Sequence, residues 1–143
     1  MTTLGELLDR ADQGEAQAMF ELGLIYSAGT MVDKDLGRGV EYFRRAFELG
    51  MEEPIYHLAR AYGEGGDGLD RDLSEAFYWW RQAATWGKLE DAAEAYHWVG
   101  RAYAEGSIVV RDRTQAIFWL EKAVNSGQSE AKTLLDELKS QEN

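Results

Sequence analysis

The chain has 143 residues, 45% of them hydrophobic and none a cysteine, and its 26 acidic and 15 basic residues give a formal charge of -11. That length suits one ordinary domain with its own core. The acidity disfavours nonspecific attraction to nucleic-acid phosphates or anionic membranes and favours a basic partner, while the lack of cysteine excludes disulfides and thiolate metal sites.

The opening MTTLGELLDRAD has neither a basic start nor a long apolar run, and no later stretch approaches the roughly 18 apolar residues of a membrane span. A cytoplasmic location is expected, which suits the absence of cysteine. Residues 1–13 read as an opening cap, after which the chain resembles itself. LGLIYSAG, LARAYGEG and VGRAYAEG align on Tyr26, Tyr62 and Tyr103. Beyond each tyrosine the match continues through Asp35, Asp72 and Asp112, then Tyr42, Trp79 and Trp119, then Ala46, Ala83 and Ala123. Gly14, Gly50, Gly87 and Gly127 punctuate it at intervals of about 36 to 40 residues, a period that signals stacked structural units. The spacing divides the single domain, 1–143, into units at 14–49, 50–86 and 87–126, with a closing helix in 127–143.

Each unit reads as two helices. In the first, Ala18, Leu22 and Tyr26 recur every fourth residue, as do Leu58 with Tyr62, and Ala95, Val99 and Tyr103, which makes one apolar face. The second helix starts at the aspartate, whose carboxylate suits exposed N-terminal amides. Asp72 with Glu75 and Asp112 with Gln115 have capping-box spacing, which Asp35 lacks. The helix ends at glycine, which tolerates the left-handed conformation common there. Tyr42, Trp79 and Trp119 recur in register and are expected in the core, as is Trp80; Trp86 is expected at the edge of its turn. The second unit carries one extra residue in its GGDG loop. The third carries four, about one helical turn, which would lengthen its first helix at the start.

The loop AYGEGGDGLDRD spells G-x-G-x-x-G at Gly63, Gly65 and Gly68 and gathers Asp67, Asp70 and Asp72. A dinucleotide turn needs a strand before it, and this motif follows a helix. The carboxylates do not follow EF-hand order, and Asp72 is needed as a cap. The segment reads as a connector, and no cofactor or metal is expected.

The repeated positions resemble the Sel1-like repeat family, α/α solenoids related in shape to tetratricopeptide repeats. The third unit matches that pattern most fully, through Val99, Gly100, Tyr103, Gly106, Val109, Asp112, Ala116, Trp119, Lys122, Ala123 and Gly127. The first unit departs at Gly39 and Tyr42, and the second at Pro54 and Ala59. The resemblance implies an all-α fold: a right-handed α/α solenoid of about three helix-turn-helix repeats with a partial N-terminal cap and a C-terminal capping helix. It also implies a non-enzymatic scaffold that binds a protein or peptide partner along the concave surface lined by the first helices.

Once the core positions are removed, the first helices leave Glu21 and Leu24, then Glu53, His57 and Arg60, then Glu94, Trp98 and Arg101, with Tyr56 and His97 flanking the stripe. Aromatic and arginine side chains among carboxylates are what protein interfaces favour. These ten residues are the expected partner-binding set, on a chain expected to be a monomer or a dimer through one solenoid end. Size, acidity and the lack of an export signal also fit an immunity or antitoxin-type protein that neutralises a basic toxin enzyme. Ser129 and Lys132 have the S-x-x-K spacing of a serine acylase, the sole hook for a hydrolase; Ser129 lies where a serine caps a helix start. His57 and His97 are not in equivalent positions, and neither has a second histidine at ligand spacing.

Overall fold

Asp35, Asp72 and Asp112 each stand immediately before a helix, and their carboxylates accept from the main-chain N–H of Arg38, Glu75 and Gln115 at 3.0, 3.1 and 3.0 Å. This is the expected N-cap. The reciprocal half of the expected capping box is not used. The N–H of each aspartate donates instead to the carbonyl of Tyr26, Tyr62 or Tyr103, at 2.8, 2.8 and 3.0 Å. With that donor satisfied by the main chain, the side chains of Glu75 and Gln115 are released for other partners.

The computed structural model of the protein describes residues 2–86 and 92–141. Within them lie eight α-helices: α1 (Leu4–Asp12), α2 (Ala16–Ala28), α3 (Leu36–Glu48), α4 (Pro54–Glu64), α5 (Leu73–Trp86), α6 (Ala92–Glu105), α7 (Arg113–Asn125) and α8 (Ala131–Ser140). The described residues form no strand beyond an isolated bridge between Gly66 and Leu69. None of the described helices is long and apolar enough to cross a membrane. Past the ends of α3 and α7, Gly50 and Gly127 take φ of 103° and 102°, the left-handed conformation that stops a helix at low cost to glycine. Most of the third unit's insertion falls on 87–91, outside the described residues, and α6 has 14 residues against 13 in α2.

Contacts divide the chain into two compact units, Met1–Ala76 and Phe77–Asn143, with the division inside α5. In the first, α1 packs on α2, α2 on α3 and α3 on α4. Its core includes Leu7, Ala11, Met19, Leu22, Tyr26, Tyr42 and Ala46. In the second, α6 packs on α7 and α7 on α8, around Ala116, Leu120, Ala123, Ala131, Leu135 and Leu138. Leu22 and Leu120 are fully buried, each contributing about 1.5 to 3 kcal/mol relative to an exposed side chain. Trp79, Trp80, Trp119 and Tyr42 are buried as expected, and Trp86 is half-buried.

Two glycines set how closely the paired helices approach. A Cβ on Gly23 would lie 2.5 Å from the ring of Phe43, and one on Gly100 would lie 2.7 Å from Leu120 Cγ. Gly39, the first unit's departure from alanine, has a similar cause: a Cβ there would meet Ser27 Oγ at 2.2 Å and the carbonyl of Gly23 at 3.0 Å. The space between α2 and α3 leaves no room for the alanine methyl at this position.

Candidate functional site

In the first unit, the surface left by α2 and α4 is only partly available. Gln17 donates to Glu21 at 3.3 Å on the outside of α2, and Leu24 is exposed. Phe20 reaches inward, with ring centroids 5.9 Å from Phe43 and 5.5 Å from His57. His57 stacks on Phe43 at 5.0 Å and 18°, which makes it a half-buried member of an aromatic cluster. Tyr56 corrects the expected set. It is buried, 4% exposed, with the Arg60 guanidinium over its ring at 5.9 Å. The sequence pattern placed Tyr56 beside the stripe, but it occupies the inward side of α4 next to Ile55, also buried. Arg60 and Glu53 are exposed, and Glu53 precedes α4 without a side-chain capping bond.

In the second compact unit, Phe77–Asn143, α6 presents a more sharply defined feature. Trp98 is 42% exposed, stacked at 6.1 Å and 12° on the buried Trp80. The guanidinium of Arg101 lies 5.2 Å from the Trp98 ring centroid and pairs with Glu105 at 3.2 Å. The arginine therefore holds one face of the indole while Trp80 holds it in orientation, so the ring is presented with little freedom left to lose on binding. His97 is half-buried; burial first, and the nearby Arg101 charge second, push its imidazole below the ordinary histidine range, partly opposed by Glu130 and Glu94. Glu94 lies in the first turn of α6.

Two exposed aromatics escaped the sequence reading. Tyr78 and Phe118 are about half-exposed and pack edge-on against Trp79 and Trp119 at 4.9 and 5.0 Å. The signal was present: each stands one residue before the repeated tryptophan, where the first unit has Glu41.

The glycine-aspartate loop serves the connector role. Asp67 and Gly68 both have positive φ, and Gly66 and Leu69 bond each other at 2.7 and 3.1 Å, a hairpin-type turn. The carbonyl of Asp67 accepts from the N–H of Leu36 at 2.7 Å, so the inserted turn caps the start of α3. Asp72 caps α5, as expected. Lys132 pairs with Asp136 at 2.9 Å, and Ser129 precedes the N-cap residue of α8, Glu130, instead of filling that position itself.

The model of the Sel1 repeat matches this chain at residues 16–51, 55–85 and 93–128. The protein belongs to the Sel1 repeat family. It is similar to a Sel1 repeat protein from Oxalobacter formigenes, at 31% identity and a TM-score of 0.69 over 94% of this chain and 97% of the other. It is also similar to a protective antigen of uropathogenic Escherichia coli strains that displays an SLR fold, at 32% identity and a TM-score of 0.72 over 92% of this chain and 27% of that one. A chitin synthase regulator of Malassezia restricta is 29% identical over 136 residues, which span 93% of this chain and 9% of that protein. The all-α Sel1 repeat fold is thus shared with solved relatives, and the tyrosine-to-aspartate bond recurs in each of the three Sel1 repeats.

Proposed function

We propose that the protein is a non-enzymatic interaction module that holds a protein or peptide partner along the surface lined by its first helices. Support comes from the assignment of the repeated residues to packing, which leaves the Sel1 repeats without a second layer for chemistry. The single observation that carries it is Trp98, a large aromatic left 42% exposed while stacked on Trp80 and in cation–π contact with Arg101. Aromatic and arginine side chains dominate binding energy at interfaces when they are ordered in advance. Glu94, His97 and Arg101 form the polar surround in that unit; Glu21, Leu24, Glu53, His57 and Arg60 supply the surface of the other. In the test, the wild-type chain and a Trp98→Ala, Arg101→Ala double variant are immobilised in parallel and challenged with lysate of the source cells. Partners lost by the variant, with its thermal midpoint retained, support the reading. Equal recovery by both chains overturns it.

The charge of -11 favours a narrower version in which the partner is a basic toxin enzyme, neutralised in the cytoplasm. Electrostatic steering would make such association fall steeply with ionic strength. A captured partner that is neither basic nor enzymatic removes this version and leaves the general one.

A further inference from the structure

Repeats within one chain act as controls for one another. In the first unit, Arg44 of α3 donates to Tyr62 Oη at 2.8 Å and to Glu75 Oε2 at 3.0 Å, with its guanidinium 5.4 Å from the Tyr62 ring centroid. An internal carboxylate answers this cation. The second unit reproduces the first two parts of that arrangement: Arg81 of α5 donates to Tyr103 Oη and lies 5.7 Å from the centroid of that ring. The carboxylate is missing. Where one repeat has Glu75, three residues after its capping aspartate, the next has Gln115. The Oε1 of Gln115 accepts from Trp119 Nε1 at 3.1 Å, and no carboxylate among the described residues pairs with Arg81.

A second cation joins it. Lys122 of α7 stands where the preceding repeat has Gln82. Its ammonium lies 5.3 Å from the Tyr96 ring centroid and 5.5 Å from that of Phe118, again with no carboxylate partner among the described residues. Arg81, Thr85, Gln115 and Lys122 line one cleft with Phe118 and Trp119. Two cations with no carboxylate partner among the described residues, beside a ring left 50% exposed, are unexpected in a chain this acidic. Both cations are held against rings, so their charged heads are positioned before any ligand arrives.

We propose that this cleft takes an acidic peptide segment of a partner protein. Its carboxylate completes with Arg81 the pair that Glu75 completes with Arg44, Lys122 gives a second contact, and a neighbouring apolar side chain of the peptide rests on Phe118. The exposed ring favours a peptide over a small anion, which would leave that apolar area uncovered. The proposal rests on the interaction-module reading but on residues other than Trp98.

The test uses the full chain, isotope-labelled and titrated by NMR with acetyl-Glu-Leu-Asp-Phe-Glu-amide and, separately, with acetyl-Gln-Leu-Asn-Phe-Gln-amide. Saturable shifts at the Trp119 indole N–H and the Arg81 Nε–H are expected with the acidic peptide, with affinity about tenfold higher than for the amide analogue, as one charge-assisted pair would give. Gln115→Glu supplies the carboxylate internally and keeps an acceptor for Trp119; it is expected to weaken the acidic peptide about tenfold with the thermal midpoint retained. Lys122→Gln, the residue of the preceding repeat, is expected to weaken it in the same direction. The proposal is overturned by absence of a saturable Trp119 shift, by equal affinity for the two peptides, or by indifference to Gln115→Glu. Sodium acetate giving the same affinity per carboxylate as the peptide also overturns it. Failure here, with partner capture still lost in the Trp98, Arg101 variant, removes the cleft and leaves the module reading intact.

Discussion

The main-chain N–H of Asp112 donates to the carbonyl of Tyr103 at 3.0 Å, and this bond joins the end of one helix to the start of the next. It explains why tyrosine and aspartate recur as a pair. The tyrosine supplies an otherwise orphan carbonyl near the C-terminus of the first helix, and the aspartate then spends its carboxylate on the N-terminus of the second. Asp112→Ala keeps the main-chain bond and loses the cap. It is expected to cost about 1 kcal/mol, with Asp112→Asn nearly neutral, as read from urea unfolding midpoints. A loss well above about 2 kcal/mol would show that the carboxylate does more than cap.

Gly100 and Gly5 form a matched pair, because both lie in helices and only one faces a neighbour. A Cβ on Gly100 would stand 2.7 Å from Leu120 Cγ and 3.2 Å from its main-chain nitrogen, whereas the nearest atom to one on Gly5 is 3.9 Å away. Alanine gains about 1 kcal/mol of helix propensity in a helix interior such as Gly100, and a smaller amount at Gly5 in the first turn of α1. Overpacking costs about 1 to 3 kcal/mol at the first alone. Gly100→Ala is therefore expected to destabilise and Gly5→Ala to stabilise, by calorimetry on the two variants.

Trp119 and Trp98 should separate stability from binding. Trp119 is 8% exposed with its indole N–H bonded to Gln115, and its truncation to alanine is expected to cost about 3 to 5 kcal/mol. Trp98→Ala exposes one face of Trp80 but opens no closed cavity, and a loss of about 1 kcal/mol is expected, in keeping with one aromatic pair. Equal losses would place Trp98 in the core and remove it from the proposed contact surface.

His97 gives the fold a sensitivity to acid. Its imidazole titrates below the ordinary value of about 6.5, with burial the first cause and Arg101 the second. Above that pH the ring is neutral in both folded and unfolded chains and contributes no pH dependence. As pH falls through about 6.5 toward the lower folded value, the unfolded chain binds the proton first and the native state loses stability. The negative charges of Glu130 and Glu94 oppose the shift and moderate the loss. His97→Gln is expected to flatten the dependence of the unfolding midpoint on pH below about 6.5 relative to wild type; an unchanged slope would assign the acid sensitivity elsewhere.

Fold class was legible in the sequence because helix pairs pack on their nearest neighbours, so Tyr26, Asp35, Tyr42 and Gly50 carry their reasons within one period. The site was less legible. Glu75 and Gln115 share capping-box spacing, yet what their side chains touch depends on Arg44 and Trp119, residues on neighbouring turns or on a different repeat. Tyr56 and Trp98 both lie near the non-core stripe, and one is buried while the other is open. They are not at equivalent positions: Tyr56 aligns with His97 and Trp98 with His57, about 100° apart around the helix, and how far each of those positions is covered depends on the neighbouring helices and not on the spacing of apolar residues.

The sequence by itself determined the repeat, its paired helices and the aspartate caps at Asp35, Asp72 and Asp112, because N–H groups at a helix start and the left-handed turn at its end are local demands that a single aspartate or glycine meets. Only the tertiary structure decided which charges are answered and which rings remain open. Whether Arg81 finds a carboxylate, or Trp98 a cover, is set by side chains brought together from different helices, and that proximity is a property of packing.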